Sequence, residues 1–236
     1  ANPNQAPKAI FISASNTAPL APDLSYTLKG RELELKAGLK AITKLTEGKV
    51  HVAVGKNEGS FFQGISGVEL HTVSGPHPAG NVGTHIAKIN PINKGEVVWT
   101  LKIEDVLVIG ELFLTGRFNL TRTIALTGSQ FAKPQYVALT FSWLTPNKKY
   151  DLDTNTNGEH RAFVVTGNYE EVFPLDIYPM QLLKAFMYKD LDEMEALGGY
   201  EVAPEDFALT EFVCVSKQPH QKIIREGLDL MRQELG

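Results

Sequence analysis

Short apolar runs alternate with helical stripes along the first half of the chain. The runs that predict buried strands are 9–13, 49–54, 68–73 and 97–101. Between the first two runs, Leu35, Leu39 and Ile42 stand at i, i+4 and i+7, which predicts an amphipathic helix over 31–45. Strand and helix therefore alternate from the start of the chain.

A second helix and a fifth strand continue this alternation. Val106 and Phe113 lie two helical turns apart and predict a helix over 104–114, although Gly110 inside it disfavours helical backbone. An apolar run over 122–127 predicts the fifth strand. Strands that alternate with helices are typical of a parallel sheet with helices on both faces. The first half is therefore predicted to be α/β, with a Rossmann-like, mostly parallel sheet.

The pattern changes in the second half. Residues 135–143 are apolar and strand-like, 146–160 are strongly polar and predict a loop, and 161–165 predict a last strand. Helical stripes follow. The predicted helices occupy 178–188, 191–197, the stretch after Pro204, and a final stripe with Ile224 and Met231. The tail is therefore predicted to be a small helical domain.

The stretch from Ser74 to Ile86 is rich in conformationally special residues, with three glycines, two prolines, one asparagine and two histidines. Glycine lets a ligand approach the main chain, and open α/β sheets bind ligands at the carboxyl ends of their strands. The same composition is typical of a long surface turn. The candidate binding residues in this stretch are Ser74, Gly75, His77, Pro78, Gly80, Asn81, Gly83 and His85.

Other sites receive little support from the sequence. Residues 14–19 stand where a G-x-G-x-x-G fingerprint would hold a pyrophosphate, and they contain no glycine, so a fingerprint-type NAD site is not expected. His71, His77 and His85 are close in sequence, but their spacings match no zinc motif. Ser74 lacks a nucleophile elbow. We therefore predict no catalytic residue and no metal ligand.

Composition excludes several classes of function. A net charge of −4 argues against a nucleic-acid partner, because such proteins usually carry a basic patch. No apolar run is long enough for a membrane span. Cys214 is the single cysteine, so the chain cannot hold an iron–sulfur cluster through cysteines of its own.

Four strings of residues resemble a known family. They are Ser74-Gly-Pro-His-Pro-Ala-Gly-Asn-Val-Gly83, Ile89-Asn-Pro-Ile-Asn-Lys-Gly-Glu-Val-Val-Trp99, Arg122-Thr-Ile-Ala-Leu-Thr-Gly128 and Leu175-Asp-Ile-Tyr-Pro179. Together they are similar to the A subunit of the bacterial Na⁺-translocating NADH:quinone oxidoreductase, and the likeness runs through nearly the whole chain. That family is similar in architecture to the flavin-binding subunit of respiratory complex I and to a subunit of the Rnf complex.

The resemblance implies a peripheral subunit on the cytoplasmic face of the bacterial inner membrane, docked on integral membrane subunits of a respiratory sodium pump. Such a complex oxidises NADH, reduces a quinone and exports Na⁺. The NADH, flavin and iron–sulfur sites are expected on other subunits, so this chain is expected to hold no redox cofactor and to be inactive alone. Quinone binding is the role linked to this subunit in the family. The resemblance therefore implies that the candidate binding residues between Ser74 and His85 contact a quinone or a partner subunit.

The chain departs from the complex I relative at the cofactor positions. That relative has acidic residues after its first strand, paired glutamates in its glycine-rich loop and cluster-binding cysteines in its helical end. This chain has Ala18 and Pro19 after the first strand, no glutamate in 74–86, and Cys214 alone. These departures favour a related scaffold that has lost its cofactors.

The resemblance also predicts the domain organisation. The expected parts are an α/β domain at 1–133, a truncated β linker at 134–168 and a helical domain at 169–236. The family begins with a further domain ahead of Ala1. It also carries a ubiquitin-like sheet segment between the regions that match Val137 and Phe141, which are joined here almost directly. We therefore expect an excised fragment with an internal deletion near 137–141.

Two other functions remain open from the sequence. The alternation of strands and helices, with a glycine-rich loop, is also typical of a free-standing nucleotide- or flavin-binding enzyme. Alternatively, the chain is a pure assembly module whose loop binds a partner protein. Titration with NADH or flavin distinguishes the enzyme from the other two functions.

Overall fold

The computed structural model describes residues 5–19, 21–56, 58–93, 95–119, 121–123, 158–164 and 166–235. The elements of the first part are β1 (Ala9–Ala14), α1 (Leu24–Leu28), α2 (Glu32–Ile42), β2 (Lys49–Val54), β3 (Glu69–Thr72), α3 (Val82–Ile89), β4 (Val98–Lys102) and α4 (Ile103–Thr115). The elements of the second part are α5 (Asn168–Val172), α6 (Pro179–Tyr188), α7 (Leu191–Ala196), α8 (Ala208–Val213) and α9 (His220–Glu234). Short 3-10 helices lie at Gly59–Phe62, Gly199–Glu201 and Pro204–Phe207.

The four strands pair in parallel in the order β3-β2-β1-β4. β1 is an inner strand and is buried on both faces. Ile10 and Ile12 point to one face and Ala9 and Phe11 to the other, and none is more than 1% exposed. A parallel strand covered on both sides is apolar along its whole length, which is the pattern that predicted it. The predicted α/β class, with its parallel sheet and helical second part, is confirmed.

Helices α2 and α4 cover the face of Ile10 and Ile12, and they pack very closely against each other. The apolar residues that they contribute to this core are Leu35, Leu39, Ile42, Ile103, Val106 and Leu107. A Cβ atom on Gly38 would overlap the carbonyl oxygen of Val106, and one on Gly110 would overlap that of Glu34. Gly110, which disfavours the predicted helix locally, is therefore explained by the helix–helix contact.

Helix α3 covers part of the opposite face. Its Ile86 packs with Ala9 and Phe11, and Val82 and Ile89 pack around them. The sequence prediction treated the whole stretch to Ile86 as loop, and this is wrong from Val82 onward. Val82, Ile86 and Ile89 stand at i, i+4 and i+7, so burial against β1 stabilises a helix there.

The second part has its own apolar core, built by the stripes that predicted its helices. The large buried residues are Tyr169, Leu182, Leu183, Phe186, Phe207, Ile224 and Met231. Asp190 caps α7, because its Oδ1 accepts a hydrogen bond of 3.1 Å from the Glu193 amide. Among the described residues, no helix has both the length and the hydropathy that a bilayer span requires.

One predicted strand of the second half is wrong, and two other predictions lie outside the described residues. Residues 161–164 form no strand. The amide of Arg161 donates to the carbonyl of Ser216 at 2.9 Å. Ser216 lies in a turn and is not part of a strand with which residues 161–164 could pair. The strand predicted at 122–127 lies outside the described residues from 124 onward, as does the segment at 134–168 up to 157. The domain boundaries at 133 and 168 stay predictions.

Substitution of Gly110 by alanine tests the contact between α2 and α4. Alanine favours a helix over glycine by about 1 kcal/mol, but the added Cβ must displace the Glu34 carbonyl. We expect a net destabilisation of about 1–3 kcal/mol, typical of overpacking, measured by urea denaturation. Gly59→Ala is the control, because a Cβ there has nothing within 4 Å. If Gly110→Ala stabilises the chain, the close contact is contradicted.

Candidate functional site

The glycine-rich loop lies at the carboxyl edge of the sheet. After β1 the chain adds β2 and then β3 on one side of β1. It then crosses through α3 to β4, which pairs with β1 on its other side. Open α/β sheets bind ligands at such a reversal of strand order. The loop from β3 to α3 returns to this place, where the Gly80 amide donates to Thr17 Oγ1 at 2.8 Å. Thr17 lies three residues after the end of β1, so the loop lies near the end of the inner strand.

The predicted contact residues differ in their exposure. Ser74 and Gly75 are exposed, whereas His77, Pro78, Gly80, Asn81 and Gly83 are half-buried and His85 is buried. The exposed tip therefore consists of Ser74, Gly75 and Pro76. The predicted residues after the tip are less exposed, because they contact other parts of the chain.

Gly80 is required by a close approach within the protein. A Cβ atom there would lie 2.6 Å from the Thr17 backbone nitrogen, which is closer than nonbonded atoms come. The same Thr17 hydroxyl group also lies 3.3 Å from His77 Nδ1. Thr17 therefore joins the loop after β1 to the loop after β3 at two points.

Two side chains of α3 form hydrogen bonds to backbone carbonyls of the loop. His85 is only 4% exposed, and its Nε2 bonds the Ala79 carbonyl at 2.8 Å. Thr84 Oγ1 donates to the Pro78 carbonyl at 3.3 Å. Burial lowers the pKa of His85 more than its bond to Ala79 raises it, so the ring is neutral at pH 7 and donates its Nε2 hydrogen. His85 supports the loop and is not open to a ligand.

The helical second part packs on the first turn of α3. The Asn81 side-chain amide donates to the Glu205 carbonyl at 3.3 Å. A Cβ atom on Gly83 would lie 2.7 Å from Asp206 Oδ2, so the Asp206 carboxyl group rests directly on this glycine. Glycine at position 83 thus allows the 3-10 helix of the second part to reach the α3 backbone.

Asp206 is a buried carboxyl group at the N-terminus of α3. It is 1% exposed, and its Oδ2 accepts from the Ala203 amide at 2.9 Å. Burial raises its pKa to about 6. Helix N-termini attract anions and often bind phosphate. At α3 the carboxyl group of Asp206 lies against Gly83 in the first helical turn.

The first strand offers no phosphate cradle either. A dinucleotide fingerprint needs a helix that begins immediately after the first strand. Here residues 15–23 separate β1 from α1, and α1 is a short helix capped by Asp23. The loop after β1 therefore does not lead directly into a helix, as the fingerprint arrangement requires.

Sequence reasoning missed two residues of this site. Thr17 follows a predicted strand, and the rule that places ligands and loops at carboxyl ends could have singled it out. Asp206 carried no such signal, because an acidic residue in a first helical turn is ordinarily a solvated partner of the helix dipole. Its burial depends on the contact between the two parts of the chain.

Comparison with known proteins identifies relatives for almost the entire chain. The family model described as the NqrA second alpha/beta domain matches residues 1–118. The A subunit of the Na(+)-translocating NADH-quinone reductase of Neisseria meningitidis serogroup B is 32% identical over 301 residues, covering 97% of this chain and 67% of that protein.

Relatives of the same name occur in other bacteria. That of Alcanivorax borkumensis is 31% identical over 307 residues, and that of Photorhabdus laumondii is 32% identical over 305. Each match covers 98% of this chain and 68% of the relative. The aligned stretches are longer than the 236 residues of this chain. The relatives therefore carry residues within the matched region that have no counterpart here.

Substitution of Asp206 by asparagine tests the buried carboxyl group. Its pKa is about 6 in the folded chain and about 3.9 when unfolded, so its contribution to stability is full below about pH 4 and lost as the pH rises through about 6. Asparagine keeps the shape without the charge. We expect the free energy of unfolding of Asp206→Asn, relative to the parent chain, to increase from pH 4 to pH 8 by up to about 3 kcal/mol.

Chemical denaturation at the two pH values measures this difference. The titration of other groups occurs in both chains and cancels. The exposed residue Glu201 provides the control Glu201→Gln, which removes a carboxyl group that lies outside the buried contact. A difference for Asp206→Asn that stays constant between the two pH values would contradict the buried, shifted carboxyl group.

Proposed function

The chain belongs to the family of the A subunit of the Na⁺-translocating NADH-quinone reductase, and on that premise we propose that it is a peripheral subunit of such a complex. The observation that carries the proposal is the match of 97% of the chain at 32% identity. The named activity is an electron transfer from NADH to a quinone that drives Na⁺ translocation. The chain supports this activity from the cytoplasmic face of the bacterial inner membrane, docked on integral membrane subunits.

The subunit carries no redox cofactor of its own in this proposal. The N-terminus of α3, where a nucleotide phosphate would bind, is faced by Asp206. Cys214 is fully buried, and its sulfur accepts a hydrogen bond of 3.0 Å from the Tyr169 hydroxyl. These positions serve the packing of the chain, so NADH, flavin and iron–sulfur chemistry belong to other subunits.

The exposed tip at residues 74–76 is the surface that we propose for contact with quinone or with a partner subunit. Its base is held by three separate contacts, through Thr17, His85 and Asp206. A loop fixed in this way loses little conformational freedom on binding. The tip therefore combines exposure with a preorganised backbone.

The two other functions fit the structure less well. A free-standing nucleotide enzyme needs a phosphate-binding helix start after β1 or at α3. The first helix begins well after β1, and Asp206 lies against the first turn of α3. The pure assembly module differs from our proposal only in what the tip contacts. The further relation to the flavin-binding subunit of complex I stays a prediction.

We also propose that this chain lacks an internal segment that its own natural gene product, like the relatives, carries. The length of the alignments, which exceeds that of the chain, supports this. The resemblance puts the missing segment near 137–141. Intact-mass measurement of the natural gene product tests the proposal, and a natural product of 236 residues would contradict an engineered deletion.

Spectroscopy of the purified chain tests the absence of redox cofactors. We expect no flavin absorbance in the visible region, no saturable change on titration with NADH, and no NADH oxidation by the chain alone. Stoichiometric flavin in the purified protein, or a micromolar NADH affinity, would instead support the free-standing enzyme.

Charge introduced at the loop tip tests the contact surface. In the complete complex, Ser74→Arg combined with Pro76→Arg should act in one of two ways. If the tip binds another subunit, the membrane subunits no longer co-purify. If it contacts quinone, the complex assembles but its quinone KM rises about tenfold or more, equivalent to ~1.4 kcal/mol. The control is Lys40→Glu on the exposed side of α2. Unchanged assembly and KM in the double variant would remove the tip from the proposal.

A further inference from the structure

Three side chains with metal-binding atoms meet on the sheet face that α3 partly covers. Glu69 and His71 stand two residues apart on the edge strand β3 and therefore point to the same face. His51 of β2 is the register partner of Glu69. The parallel pairing of β2 with β3 thus brings together residues that are distant in sequence.

The potential ligand atoms are very close. His51 Nδ1 lies 3.0 Å from His71 Nε2 and 3.4 Å from Glu69 Oε2. One ligand atom from each of the three residues lies within 4.8 Å of the other two, and no second such group occurs in the part of the chain that the structure describes. A tetrahedral zinc with bonds of about 2.0–2.1 Å holds its ligand atoms about 3.3 Å apart. The observed separations match that geometry closely at His51.

The carboxylate is oriented by a second partner. Lys49 Nζ binds Glu69 Oε1 at 2.6 Å, whereas the other oxygen, Oε2, faces His51. Carboxylates that bind metals are commonly fixed by a hydrogen bond of this kind to the remaining oxygen. Lys49 therefore leaves one oxygen of Glu69 available to a cation.

The surroundings suit an open metal site. His51 is 3% exposed, and its ring packs on that of Phe11 with centroids 4.8 Å apart, which fixes its orientation. Glu69 and His71 are half-buried and face the edge of the sheet. A cation held by the three residues would be reached from solvent and would keep a position for water.

We propose that His51, Glu69 and His71 form a binding site for one divalent cation of the zinc type. Two imidazoles and one carboxylate are a ligand set that zinc uses in proteins. Mg²⁺ and Ca²⁺ prefer oxygen ligands and are disfavoured here. The bound cation joins the edge strand β3 to β2 immediately before the glycine-rich loop, and so stabilises the base of that loop. This proposal departs from the sequence prediction of no metal ligand.

A simpler arrangement of the same residues is a hydrogen bond between the two imidazoles beside an ion pair. Metal binding separates the two interpretations. The chain, freed of metal by chelator and dialysed, is titrated with Zn²⁺ by calorimetry and with Co²⁺ by visible absorption. We expect saturation at one equivalent, intense d–d bands for bound Co²⁺, and a higher Tm with Zn²⁺ because the cation binds only the folded state.

Substitutions at the edge strand locate the site. His71→Gln and Glu69→Gln change half-buried residues and should fold normally by circular dichroism. We expect His71→Gln to weaken Zn²⁺ binding at least a hundredfold and Glu69→Gln at least tenfold, with loss of the Tm increase. His160→Gln, at an exposed histidine outside the group, should bind like the parent chain. Absence of saturable binding in the parent chain, or undiminished affinity in His71→Gln, would overturn the proposal.

Discussion

Cover on both faces of β1 is the constraint on which the first part of the chain depends. Its side chains are buried above and below the sheet, so helices must lie on both sides. On one side α2 and α4 meet over the strand, and the space there is small enough to require Gly38 and Gly110. On the other side α3 must cross from β3 toward β4. That crossing brings the glycine-rich loop to the carboxyl end of β1.

The loop is consequently as much a product of the fold as a candidate surface. Gly80, Gly83 and His85 support contacts inside the protein, and only the tip faces outward. Asp206 lies against Gly83 in the first turn of α3, and burial raises the pKa of its carboxyl group. Loss of solvation at this contact therefore disfavours the charged carboxylate.

Hydrophobic periodicity predicted the helices and strands that have a clear apolar face or a short apolar run. β2 is predicted with its observed bounds because its three valines alternate with Lys49, His51 and Ala53, and α9 because its apolar stripe is clear. α3 was missed because its glycine and threonine favour a turn locally, whereas burial of Ile86 against Phe11 decides the helix. The loop was identified as a candidate site, but the inward direction of His85 depends on tertiary contacts. Local sequence does not contain that information.

The histidines also show that local sequence does not reveal which side chains meet in the folded chain. Zinc motifs with short spacings describe ligands on one helix or one turn. Ligands on neighbouring parallel strands are separated by a whole crossover connection, so the interval from His51 to Glu69 reflects the length of the β2–β3 connection. Only the Glu69-x-His71 alternation is local, because a strand places both side chains on one face. Register places His51 opposite Glu69 and therefore on the same face as His71, whereas sequence proximity had grouped His71 with His77 and His85. For a parallel sheet, candidate metal ligands have to be sought strand against strand, through the pairing that the hydrophobic pattern imposes.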